Sequence, residues 1–240
     1  MFESLGLEVL AYSPPGWGGT LIHGLGMTLK IAFGAYFLGL LIGLCGALGK
    51  IYGGATVKWS LEIYTTIIRA VPELVLILLL YYAGTDLLNR VLEWLGYERV
   101  DISGLVAGIC VLGVVQGAYS IEVIRGAILS VSAGQIEAAK ASGMSWTLMH
   151  RRIIIPLAVP LALPGLANLW LIVTKDTALL AVVGFSELAL ATKQAAGGTK
   201  EYLLFYIAAA LLYLMVSLTS NAIFKTIERH YRRGQASAEA

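Results

Sequence analysis

Residues 130–156 read SVSAGQIEAAKASGMSWTLMHRRIIIP, a long polar interruption in a chain that is otherwise soluble in lipid. Ser132, followed three positions on by Gln135, has the form of a capping box, in which a hydroxyl and an amide satisfy orphan N–H groups at a helix start. A short helix is therefore expected to begin at Ala133. It runs through the good helix formers Glu137, Ala138, Ala139, Lys140 and Ala141 to Gly143, whose missing Cβ admits the left-handed conformation that closes a helix. At 1.5 Å per residue this is about 15 Å of helix. Ala138 and Ala139 leave its backbone open to close approach, which suits a groove on a partner protein.

What surrounds this stretch is apolar. Of 240 residues, 58% are hydrophobic and 13% are charged, against about 25% charged in soluble proteins. The chain reads as an all-α integral membrane protein with one transmembrane domain over residues 1–240 and a cytoplasmic loop at about 126–152. A net charge of +2 gives no basis for nucleic-acid binding. Cys45 and Cys110 both lie in apolar runs, and His23, His150 and His230 fall in three separate regions, so neither a disulfide nor a metal site is expected.

Five spans are expected. Residues 1–20 hold Glu3 and Glu8 but no Lys or Arg, and form a tail rather than a signal peptide. The first span covers about 21–49, and its Gly39 and Gly43, four apart, are placed for close helix packing in lipid. The second, about 60–84, carries Arg69 and Glu73 on either side of Pro72. Two readings stand for that pair: a site on a translocation pathway, since intramembrane charge is functional by default, or an i,i+4 ion pair beside a proline kink. Residues 86–97 alternate Leu and Val with Asp86, Asn89, Arg90 and Glu93, the pattern of an amphipathic helix lying at the interface. The third span, 102–121, is bounded by Asp101 and Glu122; a paired or snorkelling role for Glu122 is favoured over solute binding. The fourth, 153–174, has Pro156, Pro160 and Pro164, which should break its hydrogen-bond ladder repeatedly. The apolar run 177–186 is too short to span and should be re-entrant or packed in protein. Residues 202–224 make the fifth span, followed by a basic tail with Lys225, Arg229, Arg232 and Arg233.

Charge fixes an orientation. The segments 50–69, 125–152 and 225–240 hold eleven Lys and Arg, and 1–30, 85–101 and 175–201 hold six. By the positive-inside rule the polar loop and the C-terminus are cytoplasmic and the N-terminus is outside. None of the eight lysines sits in a phosphate-binding Gly-Lys-Ser or Gly-Lys-Thr context, so ATP, if used, is bound elsewhere. Gly184-Phe185-Ser186-Glu187-Leu188 lacks the second Gly of a nucleophile elbow, and no catalytic site is found. An ion-coupled carrier or channel, with Glu73, Glu122 and Asp176 as ion sites, is the alternative. It fits poorly, because five spans do not divide into two inverted repeats.

The polar loop also carries a resemblance. Glu137-Ala138-Ala139, then Gly143 after three residues, then after nine more Ile153, a spacer, Ile155 and Pro156, resembles the EAA loop of the membrane subunits of binding-protein-dependent ABC importers, with Ile155 in place of the usual Leu. Gly117-Ala118-Tyr119 followed by Glu122 and Arg125-Gly126-Ala127, and Arg69-Ala70 before Pro72, resemble the amino-acid-importer permeases, with Ala70 replacing a Gly. The resemblance spans nearly the whole chain and is closest to the histidine and basic amino acid or opine type. It implies a five-helix permease of a bacterial inner membrane, coupled through the EAA loop to ABC ATPase subunits that bind ATP. No cofactor is implied on this chain itself. A second permease, an extracytoplasmic solute-binding protein and membrane lipid are the other implied partners. After the fourth-span prolines the family often reads Asn-Glu and later Lys or Ser, then Thr; here the residues are Asn168-Leu169 and Lys175-Asp176-Thr177. Two readings stand for Leu169: it lines a solute site, in which case the missing acid implies a non-identical partner permease for a cationic solute, or it faces lipid or a neighbouring helix.

Overall fold

The computed structural model describes residues 7–100 and 102–232. Glu3, Asp101 and the tail beyond Arg232 lie outside the described residues. After a short 3-10 turn at Leu7–Leu10, the chain forms α1 (Gly18–Tyr52), α2 (Ala55–Ala70), α3 (Glu73–Trp94), α4 (Gly104–Leu129), α5 (Ala133–Ala141) and α6 (Trp146–Met149). A π turn at His150–Ile154 leads into α7 (Ile155–Asp176), a 3-10 stretch (Thr177–Val183), α8 (Leu188–Thr199) and α9 (Tyr202–Arg232). Five of the resulting segments are long and apolar enough to cross a membrane: Gly18–Tyr52, Glu73–Trp94, Gly104–Leu129, Trp146–Val183 and Tyr202–Tyr231.

The first and third spans form the central seam, and small residues let them meet. A Cβ on Gly39 would stand 2.8 Å from the Gln116 side chain, and one on Gly43 would stand 2.4 Å from Ser120 Cβ. Lipid gives no hydrophobic push between helices, so this backbone approach and its dispersion contacts hold the pair together. Around the seam, Ile31, Ala35, Ile77, Leu112, Trp170 and Val173 build the main core. The Trp170 indole N–H donates to Ser220 Oγ at 2.9 Å, bringing α9 against α7.

The second span differs from expectation. The run 60–84 is divided at Val71–Pro72: Pro72 disfavours helical backbone at Val71, which is extended (φ −93°, ψ 139°). Residues 55–70 are a separate helix, and the membrane crossing begins at Glu73. Starting later, it also ends later. Residues 86–94 are the C-terminal turns of α3 and not a separate interfacial helix, with Arg90 bonded to Asp86 at 2.7 Å and Glu93 paired with Arg99 at 2.5 Å.

The fourth span keeps one helix although its prolines interrupt the hydrogen-bond ladder. The turn ahead of Pro156 widens, with Ile155 N–H bonding back to the His150 carbonyl, and Pro156 occupies the first turn of α7, where no intrahelical donor is needed. Pro160 and Pro164 lie inside a continuous helix. Away from water the backbone has no other partner, so the helix forgoes single bonds and keeps the rest. The run after Asp176 is packed in protein, with Thr177 and Leu180 fully buried, and completes the crossing as a tighter coil.

Candidate functional site: a loop helix and a polar membrane face

α5 begins at Ala133 as expected, but without the capping box. The Gln135 amide that Ser132 Oγ would have satisfied bonds to the Ser132 main-chain carbonyl at 3.1 Å, and no side-chain cap forms. The far end closes on Gly143 in the left-handed region (φ +74°). Gly143 N–H donates to the Lys140 carbonyl at 2.9 Å and Met144 N–H to the Ala139 carbonyl at 3.2 Å, the paired bonds of a Schellman motif.

The helix lies with Ala139 inward, among Ala127, Val131, Met149 and Ile154, while Glu137, Ala138 and Lys140 are exposed. Beside it runs a groove of about 480 Å³ lined by Ala138, Ala139, Ser142, Met144, Ile153 and Pro156. Residues far apart in the loop thus share one surface. Glu137, Gly143 and Ile155 are exposed outside that groove.

A second cluster of charged and polar residues lies on the surface near the ends of α2, α3 and α7. Arg69, in the last turn of α2, and Glu73, in the first turn of α3, fall on different helices and form no ion pair. Glu73 instead lies in the electrostatic neighbourhood of Tyr119 and Asp176. Arg69 borders a cavity of about 410 Å³ with Thr65, Thr66, Ala70 and Tyr119. On α7, Asn168 and Lys175 are exposed and Asp176 is half-buried. Leu169 follows the reading in which it faces a neighbouring helix rather than a solute site. Its side chain is 5% exposed, packed inside the chain, and its carbonyl accepts from Gln116 Nε2 at 2.9 Å.

Glu122 is a paired carboxylate. Its Oε1 stands 2.6 Å from Lys50 Nζ and its Oε2 stands 3.4 Å from Arg125. Lys50 also bonds Glu62 Oε2 and Thr65 Oγ1, each at 2.7 Å. The hydrogen bond and positive charge of Lys50 hold the Glu62 carboxyl below the usual range. Sequence reasoning passed over Lys50. Its available signals were a lysine at the end of an apolar run and an acid and a hydroxyl, Glu62 and Thr65, one turn apart on the next helix.

Glu187 was missed as well. Fully buried, it caps α8 by accepting from Ala189 N–H at 2.9 Å and Leu190 N–H at 2.8 Å, and also from Thr28 Oγ1 at 3.2 Å and the Tyr213 hydroxyl at 3.1 Å. Burial raises its carboxyl above the ordinary range, and these four donors work the other way.

Five helices long and apolar enough to cross a membrane and a short exposed helix on one connecting loop define a polytopic membrane component. The family follows from sequence: residues 22–233 match the binding-protein-dependent transport system inner membrane component family, and the chain belongs to it. It is thus the membrane subunit of a binding-protein-dependent importer. It is 40% identical over 233 residues to the nopaline transport system permease protein NocQ of Agrobacterium fabrum, covering 96% of this chain and 99% of the relative. It is 39% identical over 224 residues to the histidine/lysine/arginine/ornithine transport system permease protein HisQ of Salmonella typhimurium, covering 93% and 98%. A solved amino acid ABC transporter with histidines superposes with a TM-score of 0.77 at 33% identity, over 89% of this chain and 95% of that one. The inward-facing MetNI methionine ABC transporter shares the fold, with a TM-score of 0.75 at 21% identity, over 92% of this chain and all of the other.

Proposed function

We propose that this chain is one of two permease subunits of an importer for a polar amino acid or amino acid derivative of the basic or opine type. ATPase subunits drive it from the cytoplasm, and an extracytoplasmic binding protein supplies the solute. ATP is bound by the ATPases and not by this chain. The observation that carries the reading is the exposed helix Ala133–Ala141, closed at Gly143 and set beside the groove lined by Ala138, Ala139, Ile153 and Pro156. Its small-residue face suits a groove on an ATPase. The solute class rests on the permeases named for nopaline and for histidine, lysine, arginine and ornithine, at 40% and 39% identity.

ATP binding closes the ATPases and shifts α5. The helices that enter and leave the loop, α4 and α7, carry that shift into the spans, which alternate between inward-open and outward-open states. The excess of Lys and Arg on one set of loops supports a cytoplasmic coupling loop and C-terminus and an external N-terminus. Arg69, Glu73, Asn168, Lys175 and Asp176 face a pathway between this subunit and a second permease, because charge at membrane depth requires cover. Leu169 faces into the chain, so the missing acid at that position does not by itself argue for a non-identical partner.

The test is uptake by the permease pair with and without the co-expressed ATPase. Solute accumulation that requires the ATPase and ATP is expected, along with recovery of a second permease copy or subunit on purification. Accumulation driven by an ion gradient without the ATPase would overturn the reading.

A further inference from the structure

The cluster around Lys50 joins the two halves of the proposed machine. Lys50 stands at the cytoplasmic end of α1 with its side chain 3% exposed. An ammonium group has three N–H bonds, and Lys50 has three acceptors at 2.6–2.7 Å: Glu122 Oε1 on α4, and Glu62 Oε2 and Thr65 Oγ1 on α2. Arg125, 3.4 Å from the other Glu122 oxygen, makes the set two cations against two carboxylates.

The positions of these partners matter. From Glu122, α4 runs seven residues to Leu129 and into the loop that carries α5, a path of about 10 Å. From Glu62, α2 runs seven residues to Arg69, beside the break at Val71–Pro72, again about 10 Å. Beyond Lys50, α2 is tied to α4 by the Tyr64 hydroxyl bonding the Val114 carbonyl and by Ile68 packing on Val115 and Ala118. Only Thr65 and Ile68 of its residues are buried. Stability alone accounts poorly for a buried ammonium here, since apolar replacements of buried ion pairs are often neutral or stabilising.

We propose that Lys50 is a positioning residue for transport: it ties α4, which leads into the coupling loop, to α2, which carries Arg69, so that movement of the loop reaches the polar face. This rests on the importer reading above. Glu62 is the arm that can let go, because its side chain is 69% exposed and that of Glu122 is 25% exposed. Water can replace the ammonium at Glu62 and cannot do so as readily at Glu122.

The experiment uses the assembled importer, with ATPases and binding protein, in proteoliposomes. Lys50→Met keeps side-chain length and removes the cation; Glu62→Lys places a second ammonium opposite the first at an exposed position that folding tolerates. Both are expected to raise the ATP hydrolysed per solute imported by about three-fold or more, within the range by which residues between coupled sites alter coupling. That ratio does not depend on how much protein is made. In a background lacking Cys45 and Cys110, Thr66→Cys reports on α2 through its rate of thiol labelling. ATP is expected to change that rate in the presence of Lys50 and not in Lys50→Met. A wild-type ratio in both variants, or a Lys50→Met protein that loses abundance and uptake while keeping its ratio and its ATP-dependent labelling, would overturn the proposal. Absence of ATP-driven uptake in the unsubstituted assembly would instead remove the importer reading, and the labelling comparison would still decide whether Lys50 holds α2.

Discussion

The side-chain amide of Gln116 on α4 donates to the main-chain carbonyl of Leu169 on α7 at 2.9 Å, with both residues buried. The bond fixes the facing of α7: Leu169 points into the protein, and Asn168 and Lys175 point out. An acid introduced at 169 would be buried, since Leu169 is 5% exposed. Leu169→Glu is therefore expected to lower thermal stability in detergent by several kcal/mol, about what an unpaired polar group costs on burial, while Leu169→Met changes it by less than about 1.5 kcal/mol. Thermal unfolding of the purified subunit checks this. A stable Leu169→Glu protein with altered solute preference would return Leu169 to the pathway.

Gly143 has open space where a Cβ would go, so any cost of substitution lies in its backbone angle. The left-handed conformation costs an L-residue about 1–2 kcal/mol, and a β-branched side chain fits it worst. Gly143→Val is expected to abolish uptake while insertion and abundance stay normal, because it unseats the end of α5. Gly143→Asn should retain most activity, since Asn tolerates this conformation. Uptake per unit of membrane-inserted protein distinguishes the two; equal, normal activity would remove the coupling role.

Orientation is checked with single cysteines in place of Tyr12 and Lys140, both exposed, in a background lacking Cys45 and Cys110. An impermeant thiol reagent on intact cells is expected to label Tyr12→Cys, and Lys140→Cys only after the membrane is opened. Labelling of both in intact cells would contradict the cytoplasmic placement of the loop.

Glu187 gives a prediction about stability. Glu187→Ala leaves the N–H groups of Ala189 and Leu190 and the hydroxyls of Thr28 and Tyr213 without their acceptor. A loss of about 3 kcal/mol is expected, the sum of a lost cap and of buried donors left unmade. Glu187→Gln should lose less, because its amide oxygen still accepts. Unfolding of both variants in the same detergent measures the difference.

The sequence by itself determined the number of crossings, because each apolar run must satisfy its own backbone in lipid and so must be a helix of spanning length. It also determined the helix at Ala133 and its end at Gly143, since backbone freedom at a glycine is a local property. The Gly39 and Gly43 pair was legible for the same reason: small side chains admit a neighbour whatever that neighbour is. Tertiary structure decided the rest. Pro72 sits within one apolar run, yet whether it kinks a span or separates two helices depends on what α2 packs against. Three prolines in the fourth span looked like three breaks, but the widened turn at His150–Ile154 and the dry surroundings keep one helix. Glu73 came to lie near Tyr119 and Asp176 and on a different helix from Arg69, Leu169 turned inward, and Lys50 gathered Glu62 and Glu122 from 12 and 72 residues away. A charged side chain in an apolar chain must find a partner, and which partner is set by where distant helices bring their polar groups together.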